Sequence, residues 1–375
     1  MLKKLKKHNH SLQRTSFTAQ TGELLDSNYK FLIIRFSSIG DVILSTPLIR
    51  CLRAKFPDSQ IDFLVKKEFS IVLSQNPHLS TIITFDKKAG KGELGRIRNL
   101  VRQNKYTHIL DIQGNIRSNL ISVGSGANRS GFSKKLLARD ILIRFGKNIY
   151  TEVKPVYLRY FEAAREFNVQ YDGLGTEVFP AETEAETVSE ILKQNCIATG
   201  TLILVVAPGA QWENKRWTTE GFATAADTFC LQTGASAVLI GGQGDIEICD
   251  QIKAAMRMPS LNLAGKLSLM GSASILGKAS MVLTNDTGML HMAQAMKAPV
   301  VAVYGPTTRE LGFFPLPENS RVAETDISCR PCTQKGLHHC PKKHFRCMLD
   351  IKPEVVSSLV SELFQAHSYP KSLHS

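Results

Sequence analysis

The sequence predicts an α/β chain built as two successive parallel-sheet domains. Three observations point there. Apolar runs of strand length, among them Phe31–Phe36, Thr201–Ala207 and Val300–Tyr304, alternate with longer stretches of helical spacing. That alternation implies parallel strands covered by helices on both faces. The runs end in polar, glycine-bearing turns, where ligands of open parallel sheets bind. With 375 residues, the chain is also long enough for two domains of ordinary size.

Taken in order, residues 1–28 are polar, hold five Lys or Arg and show no periodicity. They are expected to form a flexible tail suited to contact with anionic lipid. Phe31–Phe36 reads as a buried strand, Ser37-Ser-Ile-Gly-Asp41 as a tight loop, and Val42–Lys55 as a helix that Pro57 follows. Ile61–Val65 and Thr81–Phe85 read as strands with a helix at Phe69–Gln75 between them. Leu94–Gln103 is the next helix, and Thr107–Ile112 is a strand ending in Gln113-Gly114. Asn128–Arg144 is basic, and Pro155–Phe167 has helical spacing. Residues 170–186 are acidic and contain Gly and Pro, which suits a linker. The expected domains are therefore 29–175 and 185–350.

In the second half, Thr201–Ala207 runs into Pro208-Gly209-Ala210. Thr218 or Thr219 caps a helix, and Ala237–Ile240 enters Gly241-Gly242. A helix over Ile246–Met256, a short strand at Leu261–Ala264 and a helix over Leu269–Lys278 follow. Met281–Thr284 then delivers the chain into Asn285-Asp286-Thr287-Gly288 and a helix carrying His291, with Asp286 or Thr287 as its N-cap. Pro353 opens a last helix, 353–367.

Charge is uneven. Residues 1–160 hold 28 Lys and Arg against 11 Asp and Glu, a balance of +17, and the remainder holds 18 against 22. The first half should meet something anionic: nucleic acid, a phosphorylated sugar or an acidic membrane surface, unless it is simply solvated. Aromatic interleaving is sparse, which argues against a single-stranded nucleic acid partner. No apolar run reaches the ~18–20 residues needed to cross a bilayer. No apolar segment of the signal-peptide kind follows the basic N-terminus, so a cytoplasmic protein is expected.

Of eight cysteines, Cys51, Cys196, Cys230 and Cys249 read as small core side chains. The others form the spacing Cys329-x2-Cys332-x7-Cys340-x6-Cys347, with His338, His339 and His344 among them. Such a cluster suits either a structural zinc site or reduced thiols packing a loop, 329–347.

The turn at Asp286-Thr287-Gly288 aims a helix N-terminus at open space, a ready site for a phosphate or diphosphate. His291 lies on the first turn of the same helix. Lys215 suits either a solvated loop or a cation on that diphosphate, and Asp245, past the Gly-Gly turn, could accept from a ribose. Asp41 is either a first-turn carboxylate satisfying its helix dipole or a general base facing the second domain. A base there would take a proton from a sugar hydroxyl attacking an activated sugar, and the departing diphosphate would be stabilised by Lys215 and the helix. With protein donors in place and no Asp-x-Asp pair, no catalytic cofactor is expected.

Four motifs, in this order, resemble the glycosyltransferase family that contains the lipopolysaccharide core heptosyltransferases (glycosyltransferase family 9). They are Ser37-Ser-Ile-Gly-Asp41; Asp111-Ile-Gln-Gly114 with Arg117-Ser118; Lys215-Arg-Trp217 after Pro208-Gly209; and Asn285-Asp-Thr-Gly288 with His291 and Tyr304-Gly-Pro-Thr307. The resemblance spans roughly residues 30–365 and implies a GT-B fold, with two Rossmann-like domains facing across a cleft. It implies an inverting transferase, with Asp41 as base and Lys215 on the diphosphate. Gly209, Asp245, Asp286, Thr287, Gly288 and His291 would bind the sugar nucleotide, usually ADP-L-glycero-D-manno-heptose. The basic first half fits a lipopolysaccharide inner-core acceptor (Kdo2-lipid A or a heptosylated core) met at the inner membrane, with Gln113, Arg117, Arg129, Lys134 and Lys135 as candidate contacts. Ala210-Gln211 replaces a Thr-Thr pair found in some members, and Asp245 stands where Glu is usual. The rival readings are another nucleotide-sugar transferase of the family, a GT-B-type sugar-nucleotide epimerase, and a nucleotide- or nucleic-acid-binding protein.

Overall fold

The computed structural model describes residues 29–90 and 92–368, so the expected basic tail, 1–28, lies outside the described residues. The first sheet comprises β1 (Lys30–Ile34), β2 (Gln60–Lys66), β3 (Thr81–Phe85), β4 (His108–Asp111) and β5 (Asn128–Gly131), ordered β3-β2-β1-β4-β5. The second comprises β6 (Ile203–Ala207), β7 (Ser236–Leu239), β8 (Ser260–Asn262), β9 (Met281–Asn285), β10 (Val300–Tyr304) and β11 (Ser320–Glu324), ordered β11-β10-β9-β6-β7-β8. All neighbours pair in parallel.

The helices of the first half are α1 (Ile39–Ile43), α2 (Thr46–Lys55), α3 (Gly92–Asn104), α4 (Ile116–Ser122), α5 (Leu136–Phe145) and α6 (Val156–Tyr160). Those of the second are α7 (Glu182–Gln194), α8 (Thr219–Thr233), α9 (Ile246–Ala255), α10 (Leu269–Leu276), α11 (Gly288–Ala295), α12 (Arg346–Leu349) and α13 (Pro353–Ser368). Helices cover both faces of each sheet, so the central strands carry continuous apolar runs; Phe31, Leu32, Ile33 and Ile34 of β1 are fully buried. The closing helix α13 packs on α8, where Phe229 and Phe364 meet edge to face at 5.2 Å.

Strand order decides where the sites fall. The first sheet reverses direction of growth between β1 and β4, and the second between β6 and β9. These are the topological switch points, where adjacent loops diverge and leave a crevice beyond the strands' carboxyl ends. The helix that follows β1 carries Asp41 in its first turn, and the connections after β6 and β9 hold Lys215 and Asp286. The two crevices face each other: α1, which follows β1, packs against α11, which follows β9.

Several elements depart from the sequence expectation. The helix expected over Val42–Lys55 is two helices, broken at Leu44-Ser45. Pro47 has no N–H to bond the carbonyl of Ile43, and the hydroxyl of Thr46 donates to that oxygen at 2.8 Å instead. The Ser45 hydroxyl likewise donates to Val42 O at 2.6 Å. Lys67–Leu73 is a 3-10 turn where a helix over Phe69–Gln75 is expected, and Pro155–Phe167 divides into α6 and a 3-10 turn, Phe161–Phe167.

The segment between the sheets is fastened to both halves. Arg50 on α2 forms a fork onto Asp172 at 2.7 and 2.8 Å, pairs with Glu177 at 2.6 Å and donates to Gly175 O at 2.9 Å. From the other side, Lys297 donates to Leu174 O at 2.5 Å and Thr176 O at 3.0 Å. A second crossing joins Val156 N to Gly312 O at 2.9 Å and the Arg159 guanidinium to Leu311 O at 2.8 Å.

Candidate active site

Asp41 sits in the first turn of α1, with its carboxylate held on three sides. The Arg35 guanidinium lies 2.5 Å from Oδ1. The Ser38 N–H and hydroxyl donate to Oδ2 at 3.0 and 3.1 Å, and the Tyr160 hydroxyl donates to Oδ1 at 3.3 Å. Arg35 is itself fully engaged, donating to Ser37 O at 3.0 Å and Ile112 O at 2.7 Å, so it spans the first switch point from β1 to the end of β4. Burial disfavours the ionised carboxyl, but the Arg35 charge and the Ser38 N–H outweigh it and hold Asp41 below the usual carboxylate range. Asp41 is therefore ionised at neutral pH, as a proton acceptor must be.

Across the cleft, Lys215 ends a 3-10 turn, Glu213–Lys215, on the connection after β6. Its ammonium donates to Asp286 Oδ2 at 2.5 Å and to Asp286 O at 3.2 Å. The Thr307 hydroxyl donates to the same carboxylate oxygen at 2.7 Å. Asn285 braces this loop: its amide donates to Pro208 O at 2.7 Å, and its oxygen accepts from Trp217 N at 3.1 Å. Lys215 is thereby fixed beside the start of α11. Thr287 is the N-cap, its hydroxyl accepting from Met289 N at 3.2 Å. A cation, a helix N-terminus and a cleft make a seat for an anion.

The remaining donor-side candidates converge on the same crevice. The Asp245 carboxylate accepts from Gly242 N at 2.9 Å and lies over the turn after β6. A Cβ on Gly209 would stand 2.4 Å from that carboxyl carbon, so a larger residue there would displace the Asp245 carboxylate. His291 is buried on α11, and a Cβ on Gly40 would come within 2.6 Å of its ring. His291 Nδ1 is a buried polar atom without a hydrogen-bond partner among the described residues, which leaves a donor or acceptor for a ligand. Burial and the Lys215 charge lower the His291 pKa, against the pull of Asp286 and Asp41.

The acceptor-side candidates divide. Arg117 lies over the rings of Phe85 and Phe36, at 5.0 and 5.7 Å. Lys134 donates to Gly114 O at 2.8 Å, and burial with the nearby Arg35 charge lowers its pKa. Lys135, next in the chain, is exposed at the N-cap of α5. Gln113 is half committed, its oxygen accepting from Phe36 N at 2.9 Å. Arg129 is spent on Asp111 and Asn119, which makes it a brace of β4 and α4.

Periodicity gives no sign of Tyr160, which arrives from α6, 119 residues after Asp41. Arg35 does leave a signal: a lone charge in a continuous apolar strand needs a buried partner.

Of the two readings of the cysteine cluster, the zinc site finds no support. Among the described residues, no group of three or more His, Cys, Asp or Glu side chains is placed to hold a metal ion. Cys329, Cys332, Cys340 and Cys347 are free thiols, and Cys329 Sγ has His344 Nε2 at 3.8 Å. Burial pushes the Cys332 and Cys347 thiols up to about 11, so without a metal both are neutral thiols. The loop instead braces the Lys215 turn: Leu337 N donates to Asn214 Oδ1 at 2.8 Å, and Asn214 N to Leu337 O at 3.2 Å.

Comparison with known proteins places this architecture. The model of glycosyltransferase family 9 (heptosyltransferase) matches residues 94–342. Lipooligosaccharide heptosyltransferase 2 of Campylobacter jejuni is 25% identical over 337 residues, covering 87% of this chain and 96% of that protein. The Haemophilus influenzae protein of the same name is 27% identical over 355 residues, with 88% and 98% covered. Among solved structures, the family 9 glycosyl transferase of Veillonella parvula superposes with a TM-score of 0.73 at 21% identity, covering 90% of this chain and 97% of that one. The E. coli ADP-heptose LPS heptosyltransferase II gives 0.68 at 24%, with 90% and 99% covered. From the paired switch points to the match over residues 94–342, this chain belongs to glycosyltransferase family 9 and has the GT-B fold.

Proposed function

We propose that this glycosyltransferase moves a heptose, with inversion, from ADP-L-glycero-D-manno-heptose to the inner core of lipopolysaccharide at the cytoplasmic face of the inner membrane. One observation carries the mechanism: an ionised, oriented carboxylate at one switch point lies opposite a lysine and a helix N-terminus at the other. The donor is supported by the crevice of Gly209, Asp245, Asp286, Thr287, Gly288 and His291. The acceptor is supported by the +17 balance of the first half and by the names of the relatives, lipooligosaccharide and lipopolysaccharide heptosyltransferase 2.

In the transfer, an acceptor hydroxyl attacks the anomeric carbon. Its proton passes to Asp41, the new C–O bond forms, and the bond to the diphosphate oxygen breaks with its electron pair leaving on ADP. Charge grows on that diphosphate, so Lys215 and the first-turn amides of α11 bind the transition state more strongly than the ground state. The Lys215–Asp286 pair has a function here: it positions the ammonium before the donor arrives, and Thr307 keeps Asp286 in place when the lysine turns to phosphate. Asp41 is a weak base in its ion pair, and the attacking hydroxyl becomes acidic enough to yield its proton only as the C–O bond forms.

The test is a mass-spectrometric transfer assay with a panel of nucleotide sugars and truncated core acceptors. Heptose addition with ADP release is expected, and transfer of a different sugar in preference would reassign the donor. Donor alone separates the epimerase alternative, since a transferase without acceptor should hydrolyse it slowly at most.

A further inference from the structure

Helix α5 is a poorly covered part of the fold. Leu142 is its buried residue, while Leu137 and Phe145 are 72% and 77% exposed. Leu137 and Arg144 are two turns apart and share a face turned away from Leu142, and Phe145, at the last turn of the helix, lies about 80° round from Leu137 on the side towards Leu142 and is still exposed. Lys134 and Lys135 precede the helix and Lys147 follows it. More than half of the large apolar side chains exposed among the described residues fall within residues 116–153, including Ile116 at 79% on α4. Residues 116–154 hold eight Lys or Arg and two acidic residues. A monomer gains nothing by presenting leucine and phenylalanine to water within a ring of cations, whereas an interfacial helix needs both.

We propose that the α5 face docks on an anionic phospholipid bilayer, with Leu137 and Phe145 entering the acyl boundary and Arg144 and Lys147 at the phosphates. The charge pattern selects this occupant, since an apolar protein partner would leave the cations unpaired. Position agrees with it. Lys134, just before the helix, reaches Gly114 O and lies within electrostatic range of Arg35 and Asp41. Beyond the helix, Asn148 donates to Glu310 Oε1 of the second half at 3.2 Å. The docking face therefore borders the cleft on its acceptor side, and a lipid-anchored glycan could enter without leaving the membrane. This inference rests on the proposed lipopolysaccharide acceptor.

The experiment is flotation of the full chain with phosphatidylglycerol/phosphatidylethanolamine vesicles and with phosphatidylcholine vesicles, for wild type and for Leu137→Ser/Phe145→Ser. Turnover on a soluble truncated acceptor and thermal melting are measured in parallel. Wild type should float with the anionic vesicles and much less with the neutral ones. The double variant should partition about tenfold less or weaker still, with melting and soluble turnover unchanged. A second variant, Arg144→Ser/Lys147→Ser, should lose the preference for anionic lipid. Equal flotation of wild type and both variants would overturn the proposal, as would a wild type that stays in solution. A change of oligomeric state in the variants with flotation intact would also overturn it, making the face an interface between copies. Failure of wild type to glycosylate the soluble acceptor would instead count against the proposed function, whatever the vesicles show.

Discussion

Replacing Gly40 with alanine should force α1 and α11 apart where the two halves meet beside the cleft. A Cβ at residue 40 would stand 2.6 Å from His291 Cδ2 and 3.5 Å from its Nε2. Carbon atoms rest at about 3.5–4.0 Å, so roughly 1 Å must be found. The His291 ring has little room to give, since it is buried on α11 beside Asp286 and Lys215. The displacement therefore falls on α1, which carries Asp41, or on α11, which carries the anion seat. Overpacking of this kind costs about 1–3 kcal/mol of stability. A misplacement near 1 Å can lower turnover by about 10²-fold. Steady-state transfer kinetics and thermal melting measure the two effects separately. In a His291→Ala background, which makes room, Gly40→Ala should leave melting almost unchanged. Wild-type turnover and melting in the single variant would refute the idea that this approach sets the cleft geometry.

Further expectations concern the charges. Arg35→Gln removes the charge that most opposes the burial of Asp41 and leaves the weaker opposition of the Ser38 hydrogen bonds, so its carboxyl pKa rises and the acid limb of the pH–rate profile moves to higher pH; an unmoved limb would detach Arg35 from the base. Because native Asp41 has a depressed pKa, its stabilisation is present above the unfolded carboxylate pKa and lost as pH falls through the folded one. Lys215→Ala should weaken donor binding and lower turnover by about 10²-fold, checked by calorimetry and kinetics, and unchanged donor affinity would remove Lys215 from the diphosphate. Hydrogen bonds from Arg50 lower the Asp172 pKa to about 2, so Asp172 stabilises the fold above its ordinary value of about 3.9 and that contribution disappears between there and about 2. Asp172→Asn should cost about 1–2 kcal/mol at pH 7 after allowance for solvent screening, and much less at pH 2. Urea unfolding at both values tests this, and an equal loss at the two would contradict it.

Much of the fold could be read from the chain because its central strands are buried on both faces. Runs such as Phe31–Ile34 and Val300–Tyr304 have no polar alternation to confuse with a helix. The edge strand β5, Asn-Arg-Ser-Gly, is mostly exposed and carries no apolar signal, so it merges with the basic stretch around it. The break before α2 depends on Pro47 and on two hydroxyls, and apolar spacing runs straight through it. At the site, Asp41, Lys215 and Asp286 were legible because each lies in a polar turn at a strand end. Some of their surroundings were not. Tyr160 reaches Asp41 only through tertiary folding, and Arg129 reads as an acceptor contact until Asp111 is seen beside it. The cysteine spacing left zinc and reduced thiols open, and only the folded loop, which braces Asn214, shows free thiols with no grouping for a metal among the described residues.

The central claim is that the first domain supplies the proton acceptor and the second grips the leaving diphosphate. Asp41→Asn tests it most directly, with donor dissociation constant and turnover measured on the same preparation. The expected result is donor affinity within about twofold of wild type and turnover lower by roughly 10²-fold or more. Near-normal turnover in that variant would contradict the claim.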